Sequence, residues 1–140
     1  MSANAPLLLD TCAAIFLTEG TPLSTEARDA LAASRAAGNP VFVSPFTAWE
    51  YATLVAKKRL RSTITPEAWF VTLLSFPNFT LAPLTPEILI ASTRLPGTPP
   101  RDPADRIIAA TARAGGLTVV TRDGELLPYA AAGNLAAVRC

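Results

Sequence analysis

The sequence contains no histidine. That excludes the Ser-His-Asp and Cys-His nucleophile systems and every histidine-ligated zinc site. Cysteine occurs only twice, as Cys12 and Cys140, almost the length of the chain apart. Such a pair makes neither a disulfide framework nor a metal-type spacing, so a reducing compartment is the simpler expectation. Long apolar runs are missing as well, and nothing approaches the ~20 residues of a membrane span. Leu7-Leu8-Leu9 is broken by Asp10 and preceded by no Lys or Arg, which makes a poor secretory signal. A soluble, cytoplasmic protein is expected. A net charge of +1 gives no overall pull on a polyanion, and only a local basic patch could supply one. Whatever chemistry the chain performs must come from carboxylates, hydroxyls, Lys or Arg.

What is present in quantity is proline, thirteen residues of it. Four times it follows an oxygen-bearing residue: Ser44-Pro45, Thr65-Pro66, Thr85-Pro86 and Asp102-Pro103. A side-chain oxygen at the N-cap with Pro at the first helical position starts a helix. Acids follow within the first turn in three cases, Glu67, Glu87 and Asp105, where they suit the positive end of the helix dipole. A fifth start falls at Ser24, with Gly38 as the stop.

Between these helices lie short, continuously apolar runs: Leu7 to Leu9, Val41 to Val43, Phe79 to Leu81, Leu117 to Val120 and a weaker fifth at Leu135 to Val138. Short strands apolar throughout, alternating with helices, are what a parallel sheet covered on both faces requires. Right-handed crossovers then give a three-layer α/β/α sandwich with a mostly parallel four- to five-stranded sheet. At 140 residues, half of them apolar, the chain suits one domain spanning 1–140.

The acids fall at particular points of this scheme. Asp10 follows the first strand, Glu50 lies in the second turn after the second strand, Asp102 and Asp105 open a later helix, and Asp123 follows the Leu117–Val120 strand. Ligands of open α/β sheets bind beyond the carboxyl ends of the strands, so four segments would bring carboxylates to one edge. Each acid also has an ordinary structural role available. Asp10 and Asp123 suit turns, Asp102 an N-cap, and Asp105 the helix dipole. Glu50 is the exception. It is the only charged residue from Phe46 to Ala56, and a carboxylate on so apolar a helix is costly unless paired or bound to a cation. Together, converging carboxylates repel one another and take up protons unless a cation neutralises them. Oxygen ligands without His or Cys suit Mg²⁺, with Mn²⁺ as a substitute.

The segments Leu7-Leu8-Leu9-Asp10-Thr11, Ser44 with Trp49-Glu50, Asp102-Pro103-Ala104-Asp105-Arg106 on to Ala112, and Leu117 to Val120 with Thr121-Arg122-Asp123 resemble, in order, the four motifs of PIN-domain nucleases. More narrowly they resemble the VapC-type toxins of toxin–antitoxin systems. The resemblance implies a Mg²⁺-dependent endoribonuclease with Asp10, Glu50, Asp105 and Asp123 as its acidic quartet. Asp10 and Asp105 would be direct metal ligands, and Glu50 and Asp123 would act directly or through water. Thr11, Ser44 and Thr121 would orient carboxylates or waters. A small inhibitory antitoxin and a homodimer are implied in the same way. Where many family members carry a His before the Asp-Pro-x-Asp-Arg segment, this chain has Pro99-Pro100-Arg101.

Arg101 and Arg106, flanking that segment, are the candidates for touching RNA. The denser run Lys57-Lys58-Arg59, with Arg61, reads first as a solvated helix C-terminus. Trp49, Trp69 and Phe70 sit in apolar surroundings and are expected in the core. Two other functions are weighed: a PIN nuclease of RNA processing without an antitoxin, and a receiver-like phosphoacceptor module. The latter needs paired acids near the first strand and a late Lys, and no lysine follows Lys58.

Overall fold

The computed structural model describes residues 5–140, and the alternation of strand and helix read from the sequence is present throughout. In chain order the elements are β1 (Leu7–Leu9), α1 (Thr11–Glu19), α2 (Thr25–Ala37), β2 (Val41–Val43), α3 (Pro45–Ala56), α4 (Pro66–Leu74), β3 (Phe79–Leu81), α5 (Pro86–Ala91), α6 (Pro103–Gly115), β4 (Thr118–Thr121), α7 (Leu126–Ala131) and β5 (Ala136–Arg139). The five strands form one sheet in the order β3-β2-β1-β4-β5, and every pairing is parallel.

The strands are short and apolar because both faces are covered. Leu7, Leu9, Val41, Val43 and Val120 join one core with Ala13 and Ala14 of α1, Tyr51 of α3, and Trp69 and Leu73 of α4. Leu8 and Val119, pointing the other way, join a second core with Ile108, Ala109 and Ala112 of α6 and Leu126 and Tyr129 of α7. The period-two alternation therefore separates two apolar faces rather than an apolar and a polar one.

All four Ser/Thr/Asp-Pro junctions are helix starts. The side chains of Ser44, Thr65, Thr85 and Asp102 accept from the backbone N–H of Phe46, Ala68, Ile88 and Ala104, each with Pro in the first turn. Ser24 caps α2 by accepting from Ala27, and Gly38 ends that helix in the left-handed conformation. The last two strands each begin one residue later than the apolar runs suggest. For β4 the cause is the helix stop: Gly116 takes φ 63° and Leu117 N–H bonds back to Ala112 C=O at 2.9 Å, so Leu117 closes α6 instead of opening the strand.

One aromatic is misplaced by the sequence reading. Trp69 is buried and stacks on Tyr51 with 3.8 Å between ring centroids. Phe70 packs against the same core. Trp49, however, is 60% exposed. Its neighbours in sequence are apolar, but the helix turns its core-facing stripe through Thr47 and Tyr51 and leaves Trp49 on the far side. No helix among the described residues is long and apolar enough to cross a membrane.

Candidate active site

Asp10, the first residue beyond β1, lies at the carboxyl edge of the central strand of the sheet. It is 5% exposed, and both carboxylate oxygens are engaged. Oδ1 accepts from Ala13 N–H at 2.8 Å, which makes Asp10 the N-cap of α1. Oδ2 accepts from the Thr121 hydroxyl at 2.5 Å. Thr121 has a single hydroxyl hydrogen, so its oxygen is left to accept, and it takes the Asp123 N–H at 2.9 Å. One buried threonine thereby joins the ends of β1 and β4. Asp123 in turn accepts on Oδ2 from Glu125 N–H (2.8 Å) and Leu126 N–H (2.9 Å), starting α7.

A second hydroxyl relay holds Glu50. Thr11 donates to Glu50 Oε1. Its hydrogen being so used, the 3.0 Å contact between Thr11 Oγ1 and Thr47 Oγ1 must have Thr47 as donor. This relay ties α3 to α1 and places Glu50 beside the Asp10 end of the sheet. Ser44, fully buried, accepts from Phe46 N–H at 3.1 Å; it fixes the start of the helix that carries Glu50 and touches no carboxylate among the described residues.

Asp105 is held differently. It is the third residue of α6, and no described residue donates a hydrogen bond to its carboxylate. Burial, and then the charges of Asp123, Asp102, Glu50 and Asp10, push its pKa up to about 8. Asp10 is also raised, chiefly by burial and further by Asp123, against the lowering effect of Thr121, Ala13 N–H and Arg122. Glu50 is raised by burial, Asp102 and Asp10, against the Thr11 hydrogen bond. These mutual fields put the acids Asp10, Glu50, Asp105 and Asp123 in one neighbourhood. They include Asp102, whose first reading from the sequence is an N-cap, and its capping bond to Ala104 N–H is indeed made at 2.9 Å. The signal for its second role was its spacing: N-cap and N3 lie on the same exposed end of a helix. Cys12 was missed as a neighbour of the site. Its thiol is pushed up to about 11 by burial and then by Asp10, Glu50, Asp105 and Asp123.

The basic residues are less available. Arg101 bonds Glu125 Oε1 through Nε at 3.3 Å and through its backbone N–H at 3.1 Å. Arg106 donates from Nε to Pro100 C=O at 2.6 Å, clamping the Pro99-Pro100-Arg101 turn to α6. Arg122 donates to Cys140 C=O at 2.9 Å and lies 4.1 Å from the Phe16 ring centroid. Lys57 to Arg59 follow the C-terminus of α3. Seven residues, about 10 Å of helix rise, separate Lys57 from Glu50.

Among the described residues, no three acids stand close enough to enclose a metal ion by themselves. That is compatible with Mg²⁺, which keeps several waters and takes one or two carboxylates along with substrate phosphate. The donor set is all hard oxygen, Asp105 has its lone pairs free, and the like charges are relieved by a cation. The residues fit a partly hydrated divalent ion at this acid edge.

Comparison with known proteins agrees with the fold. Three solved structures share the fold over nearly all of both chains. A chain of the VapBC2 complex from Rickettsia felis, bound to a DNA fragment from its promoter, is 16% identical with a TM-score of 0.67, covering 95% of this chain and 97% of that one. A chain of DNA-bound VapBC from Salmonella typhimurium is 22% identical with a TM-score of 0.58, covering 96% and 98%. A chain of FitAcB from Neisseria gonorrhoeae is 22% identical with a TM-score of 0.57, covering 94% and 95%. No curated protein matches the chain in sequence. The family model for the PIN domain matches residues 7–132, from β1 into the end of α7, and the chain therefore belongs to the PIN-domain family.

Proposed function

We propose that this protein is a Mg²⁺-dependent endoribonuclease, with residues 1–140 as one nuclease domain, and the toxin of a toxin–antitoxin pair. The observation that carries the nuclease reading is the gathering of five carboxylates at one sheet edge, with Asp105 half-buried, unbonded and raised to about 8. Protein charge does not balance that cluster, and a divalent cation with a phosphodiester does. Bound there, Mg²⁺ supplies positive charge to a phosphate oxygen and lowers the pKa of an attacking water; Mn²⁺ can substitute.

The chain's own part is positioning and proton handling. Asp10, pinned on both oxygens, presents its remaining lone pairs in a fixed direction. Asp105, with no donor among the described residues, would be the second residue to hold the ion. Glu50 and Asp123 complete the site directly or through ordered water, and the Thr11 and Thr121 hydroxyls fix where they stand. A carboxylate of this cluster accepts the proton of the attacking water as its oxygen bonds to phosphorus. The ester oxygen that leaves takes a proton from solvent. Arg101 and Arg106 contact the RNA backbone through their terminal N–H groups, while Nε stays on Glu125 and the Pro100 carbonyl.

The toxin reading rests on the resemblance of the motifs to VapC-type toxins and on the common fold with chains of VapBC and FitAcB complexes. It brings with it a small antitoxin that blocks the acid edge, a homodimer, and a cytoplasmic place of action. The test is cleavage of total RNA by the purified protein in Mg²⁺, in EDTA, and as folded Asp10→Asn and Asp105→Asn variants. Cleavage is expected only with the metal and both carboxylates. Metal-independent cutting, or full activity of both variants, removes the site. Co-purification with the product of an adjacent small gene separates a toxin from an RNA-processing nuclease.

A further inference from the structure

The exposed indole of Trp49 has no role in the core and none in the acid site. It lies directly before Glu50 on α3 and stacks on Phe46, with 5.2 Å between centroids and 28° between planes. Phe46 is four residues before Glu50, so the two occupy one face of the helix a single turn apart, about 5–6 Å between Cβ atoms. The order around the helix is thus Glu50, Phe46, Trp49, and the aromatic pair forms a continuous rim on the solvent side of the carboxylate. It belongs to the first half of α3, the end that emerges from β2 beside the Asp10 edge.

We infer that Trp49, backed by Phe46, is a stacking platform for an unpaired base of the nucleic-acid substrate, next to the nucleotide whose phosphate enters the acid site. The inference rests on the nuclease reading above and names the substrate class for the same site: single-stranded RNA or an unpaired loop. Three observations favour a base over an apolar protein segment. The acid edge repels a phosphate that no cation accompanies, and the nearby Arg106 and Arg122 donate to backbone carbonyls while Arg101 contacts Glu125 at the surface. Base–aromatic stacking adds affinity beside the cation-held phosphate, whatever the base identity. The exposed surface is one flat ring on a second ring, a pre-ordered face the size of a base rather than a groove. Finally, the pair adjoins Glu50 itself, so an occupant of Trp49 is within a nucleotide's length of the carboxylates. A base inside a duplex has its faces covered by neighbouring pairs and could not stack there.

The two tryptophans make the test direct, because Trp49 is exposed and Trp69 is buried. Acrylamide-accessible emission reports Trp49. In the Asp105→Asn protein with Mg²⁺, single-stranded oligo(rA) or oligo(rU) 12-mers should quench that emission saturably, and the rA–rU duplex should not. The Trp49→Ala protein should lose this signal. With the active enzyme, Trp49→Ala should raise KM for a single-stranded substrate on the order of tenfold with little change in kcat. Trp49→Phe should recover most of the loss, and neither change should alter Tm at such an exposed position. An unchanged KM together with absent quenching overturns the inference. So does a shift in oligomeric state in Trp49→Ala without loss of RNA binding, which would make the rim an interface between copies. If oligonucleotide quenches Trp49 but the wild-type protein cuts no RNA, the platform stands and the nuclease reading falls.

Discussion

Asp10, at the β1–α1 junction, and Asp105, in the first turn of α6, carry the same group to the same sheet edge, yet the chain treats them in opposite ways. Asp10 is almost fully buried and has a donor on each oxygen. Asp105 is half-buried, has no donor among the described residues, and faces four other acids. The first is part of the frame: it caps a helix and fastens β1 to β4 through Thr121. The second adds nothing to the frame and stores repulsion that only a cation or a proton relieves. A site of this kind divides its acids into those that fix geometry and those that create demand for the metal.

The widest break in that comparison is between activity and stability. Replacing either residue should remove cleavage, by at least a hundredfold, in the RNA assay. Stability should move in opposite directions. Asp10→Ala loses a helix cap and a charge-assisted hydrogen bond and should cost about 2–4 kcal/mol. Asp105→Asn should raise stability of the metal-free protein by about 1 kcal/mol. Urea unfolding in EDTA measures both, and a destabilised Asp105→Asn would mean that this carboxylate has a structural partner after all.

Thr121 sharpens the contrast. Thr121→Val keeps the shape but takes the donor from Asp10 and the acceptor from Asp123 N–H. Mg²⁺ affinity should fall 10–100-fold by calorimetry. Thr11→Val, which frees Glu50 alone, should cost less.

The pH dependence follows from Asp105. Its folded pKa, about 8, lies above the ordinary 3.8, so between those values the folded state holds a proton that the unfolded state has released. Stability of the metal-free protein should therefore fall as pH rises from about 4 to about 8. Saturating Mg²⁺ should expel the proton and flatten the slope, and Asp105→Asn should reduce it without metal, leaving the part owed to Asp10 and Glu50. Tm against pH with and without Mg²⁺ is the measurement, and a metal-free Tm that rises over this range refutes the assignment.

The smallest effect is expected at Arg122, which reaches from the end of β4 to Cys140 C=O and the Phe16 ring and lowers the pKa of Asp10. Arg122→Ala should cost on the order of 1 kcal/mol by thermal unfolding. Arg122→Lys should restore less than half of this, since Lys lacks the planar fork that stacks and bonds at once.

The legible part of this protein was its local chemistry. Ser44-Pro45, Thr65-Pro66, Thr85-Pro86 and Asp102-Pro103 mark helix starts because a side-chain oxygen and a fixed φ satisfy the first turn without help from the rest of the chain. Strands apolar throughout imply a sheet covered twice, and the two cores show it. Acids placed after strand ends pointed to one edge because a parallel sheet aligns its carboxyl ends. Trp49 marks the limit. Its neighbours in sequence are as apolar as those of Trp69, but one ring stacks on Tyr51 in the core and the other faces solvent. That choice depends on which stripe of α3 meets α1 and α4.

The difference among the acids was likewise hidden. Propensity, capping and strand period act over a few residues, and they were enough to place Asp10, Asp102, Asp105 and Asp123 near helix or strand ends and Glu50 in the second turn of a helix. Only the tertiary structure decided that Thr121 serves Asp10 from 111 positions away, that Glu50 is reached by Thr11, and that Asp105 has no donor among the described residues. Charge repulsion and desolvation depend on distances through space and on what covers each group, and the chain acquires those only when β1, β4 and α6 pack together.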